Sequence, residues 1–344
     1  MNAPKLRFKE FNDEYINLKY KDVLKIKSGK DQKKVECESG IYPILGTGGQ
    51  IGKTNSFLYD KPSVLIGRKG TINKPQYMET PFWTVDTLFY SHIYEPNIPK
   101  YLFYSFQNVN WKKYDESTGV PSLSSSTIES VECNIPSKEE QLKVADFLSL
   151  LDKKIELQSK KIEDLKLFKL CINNILFNGN KTVKLKDICE CKSSTISLSD
   201  IEYDDGIYPI YGANGEIKKI NSYQNDKDYL AIIKDGAGVG KTIICNKKSS
   251  IIATLSALIP NGIPVYYFNE LINKIDFSKY IVGSGIPHIY FKDYSNEKLY
   301  LHEEKKRILI NNLFKKIIIK IELEENKLHL LETLKKGLMQ NMFV

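Results

Sequence analysis

The chain repeats itself over nearly half of its length, and this duplication constrains its fold more than any other feature. Residues 40–56, GIYPILGTGGQIGKTNS, align without a gap on residues 206–222, GIYPIYGANGEIKKINS, with 11 of 17 positions identical. The same shift of 166 residues places Phe177 on Phe343. A period this long exceeds that of a solenoid repeat, and it predicts one whole domain copied once in tandem.

The length and hydropathy of the chain predict a soluble protein with two cores. Its 344 residues are ample for two domains, and it has no run of about 18 apolar residues that would predict a membrane span. The first residues, MNAPKLRFKE, lack the apolar stretch of a signal peptide. The six cysteines form no Cys-x-x-Cys pair and the four histidines are scattered. We therefore expect reduced thiols in the cytoplasm and no bound metal.

The net charge of +8 suits a polyanionic partner such as nucleic acid. A lysine-rich composition also occurs in proteins that bind no polyanion. Charge alone therefore leaves the class of partner open.

Both copies have the same internal plan. Each opens with a short polar segment and continues with apolar runs such as SVLIG and YLAII between glycine-rich turns, a pattern typical of short strands. Each ends in a segment without Gly or Pro clusters, which predicts a long helix. The sequence thus predicts an α+β protein with two pseudo-symmetric β-rich α/β domains, residues 1–136 and 179–301, and two long helices, residues 137–178 and 302–344.

The two predicted helices carry a heptad pattern. Along the same ten 4-3 positions, eight are apolar in each helix. A seam sustained this long favours an antiparallel coiled coil between the helices over the simpler alternative that each helix packs only on its own domain. The seam residues that we expect at the helix–helix contact are Leu148, Leu151, Ile155, Ile162, Leu165, Phe314, Ile317, Ile321, Leu328 and Leu331.

Two polar residues interrupt the seam at equivalent places in each helix. They are Gln158 and Lys169 in the first helix and Glu324 and Lys335 in the second. A polar seam residue favours a register that gives it a partner. One antiparallel register satisfies all four, and it predicts that Lys169 meets Glu324 and that Gln158 meets Lys335.

The segment DGAGVGKT, residues 235–242, resembles a phosphate-binding P-loop but fails its spacing. The first glycine of such a loop would stand at position 235, where the chain has Asp235, and the TIIC that follows predicts a strand instead of a helix. The segment therefore predicts a glycine-rich hairpin that carries Lys234 and Lys241.

Other catalytic motifs are missing from the sequence. The chain has no Pro-Pro-aromatic motif of a DNA methyltransferase, and no carboxylate pair followed by Glu-x-Lys as in a common nuclease site. These observations favour a binding protein without catalytic residues of its own.

The segment IPSKEEQLKVADFLSLLDKKIE, residues 135–156, opens the first helix and resembles the specificity subunits of type I restriction-modification systems. Together with the two β-rich domains, the resemblance covers nearly the whole chain. The second copy departs from the motif, because it lacks the Ile-Pro and has Lys306 and Arg307 in place of Glu-Gln. The residues that carry the resemblance are Ile135, Pro136, Glu140, Gln141, Phe147, Leu148, Leu151, Asp152 and Ile155.

The resemblance implies a function. In that family each target-recognition domain binds one half of a split, asymmetric site in double-stranded DNA, and the two helices serve as spacer and as docking surface. Two modification subunits bind S-adenosylmethionine and methylate adenine, while restriction subunits add ATP-driven translocation and cleavage. The specificity subunit itself would hold no cofactor and no catalytic residue.

DNA contact requires long hydrogen-bond donors on loops, with lysines on phosphates. Arg68 is the first choice for base reading, because its guanidinium matches guanine O6 and N7. Gln50 and Glu216 occupy equivalent positions, where an amide suits adenine and a carboxylate suits cytosine N4. Each candidate has the alternative of a solvated loop residue. The candidates are Gln50, Lys53, Arg68, Lys69, Thr71, Asn73 and Lys74 in the first copy, and Asn214, Glu216, Lys218, Lys219, Lys234, Lys241 and Thr242 in the second.

Two other functions remain open at this point. The first is a coiled-coil scaffold without DNA binding, and the second is a DNA-modifying enzyme that acts alone through an unrecognised site. Ser122 and His288, which follow the shared Gly-x-Pro, could hydrogen-bond phosphate or satisfy their own turn, and the turn is favoured.

Overall fold

The structure is a computed structural model that describes residues 3–201 and 206–343. Residues 1, 2, 202–205 and 344, which belong to the two predicted domains and to the end of the second predicted helix, lie outside the described residues. The chain divides into two compact units. Unit 1 comprises Met1–Gln158 with Lys327–Val344, and unit 2 comprises Ser159–Asn326.

Unit 1 has two sheets and a separate strand pair. The sheets have the strand orders β2-β8-β5-β6 and β4-β3-β7, and β1 pairs with β9. The strand β5, SVLIG, is buried along its whole length and lies between β8 and β6 in its sheet. The elements are β1 (Ile16–Lys19), α1 (Tyr20–Val23), β2 (Leu24–Lys27), β3 (Tyr42–Gly46), β4 (Gly49–Thr54), β5 (Ser63–Gly67), β6 (Gln76–Met78), β7 (Trp83–Thr84), β8 (Leu88–Ile93), α2 (Pro99–Asn108), α3 (Ser125–Ser130) and β9 (Glu132–Ile135).

The first long helix, α4 (Lys138–Leu176), begins in unit 1 and continues into unit 2. The side chain of Ser137 accepts a hydrogen bond from the Glu140 N–H at 3.3 Å and so caps its first turn. Glu140 is buried and binds Arg7 through two hydrogen bonds of 2.8 and 2.7 Å. Gln141 Oε1 accepts from the Ile98 N–H at 2.8 Å. The Glu-Gln of the motif thus fastens the start of the helix to unit 1.

Unit 2 repeats the topology of unit 1. Its sheets have the orders β11-β17-β14-β15 and β13-β12-β16, and β10 pairs with β18. The elements are β10 (Val183–Lys184), β11 (Cys189–Ser193), β12 (Tyr208–Gly212), β13 (Gly215–Ile220), β14 (Tyr229–Ile233), β15 (Thr242–Cys245), β16 (Ser250–Ile251), β17 (Leu255–Pro260), α5 (Val265–Ile272), α6 (Phe291–Tyr294), β18 (Lys298–Leu299) and the second long helix, α7 (Glu304–Met342), which continues into unit 1.

The repeated phrase GIYPI forms the same structure in both units. It supplies β3 and β12, each paired antiparallel with the next strand and parallel with a short strand, β7 or β16. Both hairpins shift register at the same step, Ile44/Leu45 and Ile210/Tyr211. The prediction of a duplicated domain is confirmed down to this irregularity.

Within each unit the two long helices pack against each other in antiparallel directions. In unit 2, Lys161 of α4 binds Glu324 of α7, while Phe177, later in the chain, lies near Phe314, which is earlier. In unit 1, Lys335 of α7 binds Asp152 of α4 at 2.5 Å. All ten predicted seam residues are buried or half-buried. The helices also enter the domain cores, so the two packing alternatives are combined.

The predicted register is wrong in its polar pairs. Glu324 binds Lys161 at 2.7 Å and Lys320 at 2.8 Å, while Lys169 binds Glu270 of α5 at 2.6 Å. Lys335 binds Asp152. Glu270 lies in the β-rich domain and Asp152 on the flank of α4, and a heptad pattern does not reveal either carboxylate as the partner of a seam lysine.

None of the helices in residues 3–201 and 206–343 is long and apolar enough to cross a membrane.

Candidate nucleic-acid interface

In unit 1 the loop between β5 and β6, residues 68–75, is fixed by backbone hydrogen bonds to the Gly-x-Pro segment. The Gly70 N–H donates to the Pro121 carbonyl at 2.8 Å, and the Leu123 N–H donates to the Arg68 carbonyl at 2.9 Å. Gly70 has a φ of +88°, a backbone conformation that residues other than glycine rarely adopt. Gly70 and Pro121, which recur as Gly236 and Pro287 in the second copy, thus join the β5–β6 loop to the Gly-x-Pro segment.

Arg68 and Lys69 project from this joined pair of loops and are exposed. Among the residues that the structure describes, the guanidinium of Arg68 contacts the Asp86 carbonyl, at 3.5 Å from Nη1. Both residues line a cavity of 380 Å³ together with Glu116 and the Ser122–Ser125 segment. Hydrogen bonds from Thr127 and Ser124 lower the pKa of Glu116, so this carboxylate stays charged beside them. The arginine head is available to a ligand.

The β3–β4 hairpin lies against the same loop. The side chain of Gln76, at the start of β6, donates from Nε2 to the carbonyls of Gly46 at 2.9 Å and Thr47 at 3.3 Å. Gln50 is exposed beside this turn, and Lys53 is exposed near the far end of β4. The turn and the β5–β6 loop therefore form one surface.

Other candidates of unit 1 lie elsewhere. Asn73 and Lys74 line a second cavity, of 690 Å³, with Lys335 and Lys336 of α7. Thr71, which lies between Lys69 and Asn73 in the sequence, is half-buried. The structure thus divides the predicted set of unit 1 into a group around Arg68 and a group beside the helix pair.

Unit 2 builds the same pair of joined loops with different charges. The Gly236 N–H donates to the Pro287 carbonyl at 2.8 Å, and the Ile289 N–H donates to the Lys234 carbonyl at 2.9 Å. Lys234 stands where unit 1 has Arg68, and Asp235 stands where it has Lys69. Asp235 lies 3.9 Å from the Lys234 ammonium. The two positions carry two positive charges in unit 1, whereas in unit 2 their charges are opposite and sum to zero.

The remaining candidates of unit 2 differ in their exposure. Lys218 Nζ donates to the Ile201 carbonyl at 2.7 Å, and Thr242 Oγ1 donates to Asn269 Oδ1 at 2.8 Å, so both are held by their own domain. The exposed candidates of this unit are Asn214, Glu216, Lys219 and Lys241. The segment DGAGVGKT joins antiparallel β14 and β15, which confirms the predicted glycine-rich hairpin.

The polar residues after the Gly-x-Pro make hydrogen bonds within their own domain, and those of Ser124 and His288 are local to the turn. The Ser122 N–H donates to Asp115 Oδ1 at 2.9 Å, and Ser124 caps α3 by accepting from the Thr127 N–H at 3.1 Å. His288 Nδ1 lies 3.2 Å from the Ile286 carbonyl. This agrees with the turn interpretation favoured from the sequence.

Two residues of these loops, Gln76 and Asp235, were not among the candidates predicted from the sequence. Gln76 ties the hairpin to the β5–β6 loop, and Asp235 reduces the positive charge of Lys234. A position-by-position comparison of the two copies would have revealed both, because each copy has a chemically different residue at the equivalent place.

Three of the cysteines in the described part of the chain, Cys133, Cys189 and Cys245, are buried. All six cysteines are free, and burial raises the pKa of Cys133, Cys189 and Cys245 to about 12, which keeps them protonated. Within residues 3–201 and 206–343, no group of three or more His, Cys, Asp or Glu side chains could hold a metal ion.

Comparison with known proteins gives one family and a shared fold. The model of the type I restriction modification DNA specificity domain matches residues 12–167 and 178–341. The crystal structure of a type I restriction-modification system S subunit from M. genitalium is similar, with 18% identity, 99% of each chain covered and a TM-score of 0.78. A chain from a study of complex assembly and conformational transition of the type I R-M system is similar at 13% identity, over 94% of this chain and 96% of that one, with a TM-score of 0.51. No curated protein matches.

Proposed function

Because this chain belongs to the type I restriction modification DNA specificity family and carries its domain twice, at residues 12–167 and 178–341, we propose that it is the specificity subunit of a type I restriction-modification complex. The observation that carries the proposal is the pair of joined loops. Both units hold them with the same backbone hydrogen bonds, yet Arg68 and Lys69 are replaced by Lys234 and Asp235. One frame with two chemistries suits a protein that binds two different half-sites.

Each unit would bind one half of a split DNA site through the group of exposed loop residues. In unit 1 we assign base reading to Arg68 and Gln50 and phosphate contact to Lys53 and Lys69, because guanidinium and amide groups match base edges whereas ammonium groups act as point charges. Thr71, Asn73 and Lys74 lie outside this group, and Asn73 and Lys74 line the separate cavity beside the helix pair.

In unit 2 the equivalent surface offers a carboxylate at Glu216 and an amide at Asn214. A carboxylate accepts from cytosine N4, so the two hairpins would prefer different bases. Lys219, Lys234 and Lys241 supply positive charge for phosphates, whereas Lys218 and Thr242 support the loops from within.

The outer faces of the long helices offer docking surfaces for partner subunits. Exposed apolar residues occupy equivalent positions on the two helices, Leu142, Phe147 and Leu157 on α4 within unit 1 and Ile308, Leu313 and Leu323 on α7 within unit 2. Exposed apolar side chains at repeated positions favour protein partners. The repetition supports two copies of one partner, which we propose to be the modification subunits.

The chemistry of the complex would then belong to its other subunits. The modification subunits would bind S-adenosylmethionine and methylate adenine, and restriction subunits would use ATP. We propose that this chain binds no cofactor, catalyses no step itself and acts in the cytoplasm, where its DNA substrate and reduced thiols are expected.

The proposal is tested with the purified chain, alone and mixed with its cognate modification subunit. We expect salt-sensitive binding to DNA that contains the target, and adenine methylation with S-adenosylmethionine only in the mixture. Methylation or cleavage by the chain alone would identify a self-acting enzyme. A mixture without salt-sensitive DNA binding would instead identify a coiled-coil scaffold.

A further inference from the structure

In unit 2 an unbroken line of polar contacts runs from helix α4 to the β14–β15 loop. Lys169 Nζ lies 2.6 Å from Glu270 Oε1, which also accepts from Asn269 Nδ2 at 2.9 Å. Asn269 Oδ1 in turn accepts from Thr242 Oγ1 at 2.8 Å. Thr242 follows Lys241 directly and begins β15, so the last link is at the end of the loop. The seam lysine of the helix is thereby connected to a candidate DNA-contacting segment.

The centre of this line is a buried, fully satisfied carboxylate. Glu270 is 1% exposed. Its second oxygen, Oε2, accepts from Asn173 Nδ2 of α4 at 3.0 Å, and its main-chain carbonyl accepts from the same group at 2.9 Å. A buried carboxylate with an ion pair and several hydrogen bonds permits one arrangement and resists displacement, because any lost partner leaves charge uncompensated. Helix α5 is therefore held rigidly on α4.

Unit 1 makes the equivalent connection with aromatic rings. The equivalent of Lys169 is Lys335, whose ammonium lies 5.5 Å from the centre of the Tyr104 ring, in the position of Glu270. The rings of Tyr104 and Phe103 are 5.2 Å apart, and those of Phe103 and Tyr77, on β6, are 5.5 Å apart. Both units therefore connect the same helix position to the same hairpin. In unit 1 the links from Tyr104 onward to the hairpin are ring contacts, whereas the corresponding links in unit 2 are directional hydrogen bonds.

We propose that Lys169, Glu270 and Asn269 are positioning residues for DNA recognition by unit 2. They hold Thr242, and with it the end of the β14–β15 loop, in one orientation relative to α4, and this orientation sets how strictly the unit discriminates among bases. The inference rests on the proposed function. Its physical basis is that a recognition group needs supporting hydrogen bonds that fix its geometry to a fraction of an ångström.

The test uses the full chain assembled with its modification subunit and a library of randomised DNA, methylated with S-adenosylmethionine and sequenced. Asn269→Leu removes the middle link while keeping a similar volume. We expect methylation of sequences with one mismatch to rise roughly tenfold in one half of the motif, the equivalent of about one hydrogen bond. The other half should stay as strict as in the wild type. Lys161→Met is the matched control, since it removes an α4 lysine whose carboxylate, Glu324, keeps Lys320.

Two strict halves in Asn269→Leu would overturn the proposal, as would equal loss of both halves, which would assign Asn269 to folding. If Asn269→Leu does not fold, Glu270→Gln decides, because it keeps the volume and neutralises the ion pair. Relaxed discrimination in one half then supports the proposal, and wild-type strictness refutes it. A wild-type complex that methylates no divided motif would contradict the proposed function itself, so the two failures are distinguishable.

Discussion

The aromatic ring of Phe343, at the end of α7, lies 5.3 Å from the ring of Tyr101 in unit 1. The equivalent pair in unit 2, Phe177 and Tyr267, is separated by 5.1 Å. In both pairs the phenylalanine comes from one copy of the duplicated sequence and the tyrosine from the other. Each unit therefore completes its core with the end of the other copy's helix.

Replacing the terminal aromatic anchor should destabilise unit 1. Phe343 is 8% exposed and belongs to the core cluster of that unit, so we expect Phe343→Ala to lower its free energy of unfolding by about 2–4 kcal/mol. Both tryptophans, Trp83 and Trp111, lie in unit 1, so tryptophan fluorescence during urea unfolding measures this change selectively.

Two variants serve as controls. Leu334→Ala, at an exposed position of the same helix, should change the free energy of unfolding by no more than about 0.5 kcal/mol. Phe177→Ala should shift the fluorescence midpoint less than Phe343→Ala does. An unchanged midpoint in Phe343→Ala would refute the anchor.

His302 should make the stability of unit 2 depend on pH. Burial, followed by the charge of Lys306, lowers its pKa below the ordinary value of 6.5. The Tyr267 hydroxyl accepts from the backbone N–H of His302 at 3.0 Å and can donate to the ring Nδ1 of His302 at 2.9 Å. The second hydrogen bond requires an unprotonated Nδ1 and so favours the neutral ring. The unfolded chain therefore binds the proton first, and stability is complete above about pH 6.5 and falls as the pH decreases below it.

Urea unfolding followed by circular dichroism at about pH 7.5 and pH 5.5 measures this dependence. His302→Gln should reduce the difference between the two midpoints, while the tryptophan signal of unit 1 should be unaffected by the substitution. Equal pH dependence in the wild type and the variant would contradict the assignment.

Substitutions at Arg68 and at Lys69 should have separate effects, on base specificity and on overall DNA affinity. Arg68→Gln should relax one base position at a cost of about 1–3 kcal/mol, because a bidentate contact is lost. Lys69→Gln should weaken binding to all sequences and lower the slope of affinity against salt by about 1. Lys234→Gln, at the unit 2 position equivalent to Arg68, should change the slope less than Lys69→Gln does, because Asp235 already offsets the charge of Lys234. Affinities of the assembled complex at several salt concentrations measure these effects, and equal slopes for Lys69→Gln and the wild type would exclude a phosphate contact.

The length of the two long helices should set the spacer of the DNA site. Removal of one heptad from each helix shortens it by about 10 Å, equivalent to about three base pairs. We expect a correspondingly shorter spacer between unchanged halves in the methylated motif. Removal from α4 alone should abolish methylation, since the antiparallel contacts in each unit would be broken. An unchanged spacer would refute the role of the helices as a ruler.

The duplication could be predicted from the similarity of the two halves of the sequence, and the strands and the seam could be predicted from local periodicity. The contacts of Lys169 and Lys335 could not be predicted, because their partners Glu270 and Asp152 come close to them only through tertiary packing. The exchange of helix ends between copies is likewise a long-range choice, and Phe177 and Phe343 are equivalent residues in either arrangement. The glycine-rich hairpin was predicted from the sequence, whereas the joining of the two loops and the hydrogen bonds of Gln76 and Thr242 require three-dimensional proximity.

Sequencing of adenine methylation in a host that carries this gene and its cognate modification subunit tests the central claim most directly. The account predicts one split, asymmetric motif, with two specified halves around an unspecified spacer, that disappears when the gene is deleted. A methylation pattern that is unaffected by the deletion, or a continuous motif without a spacer, would contradict it.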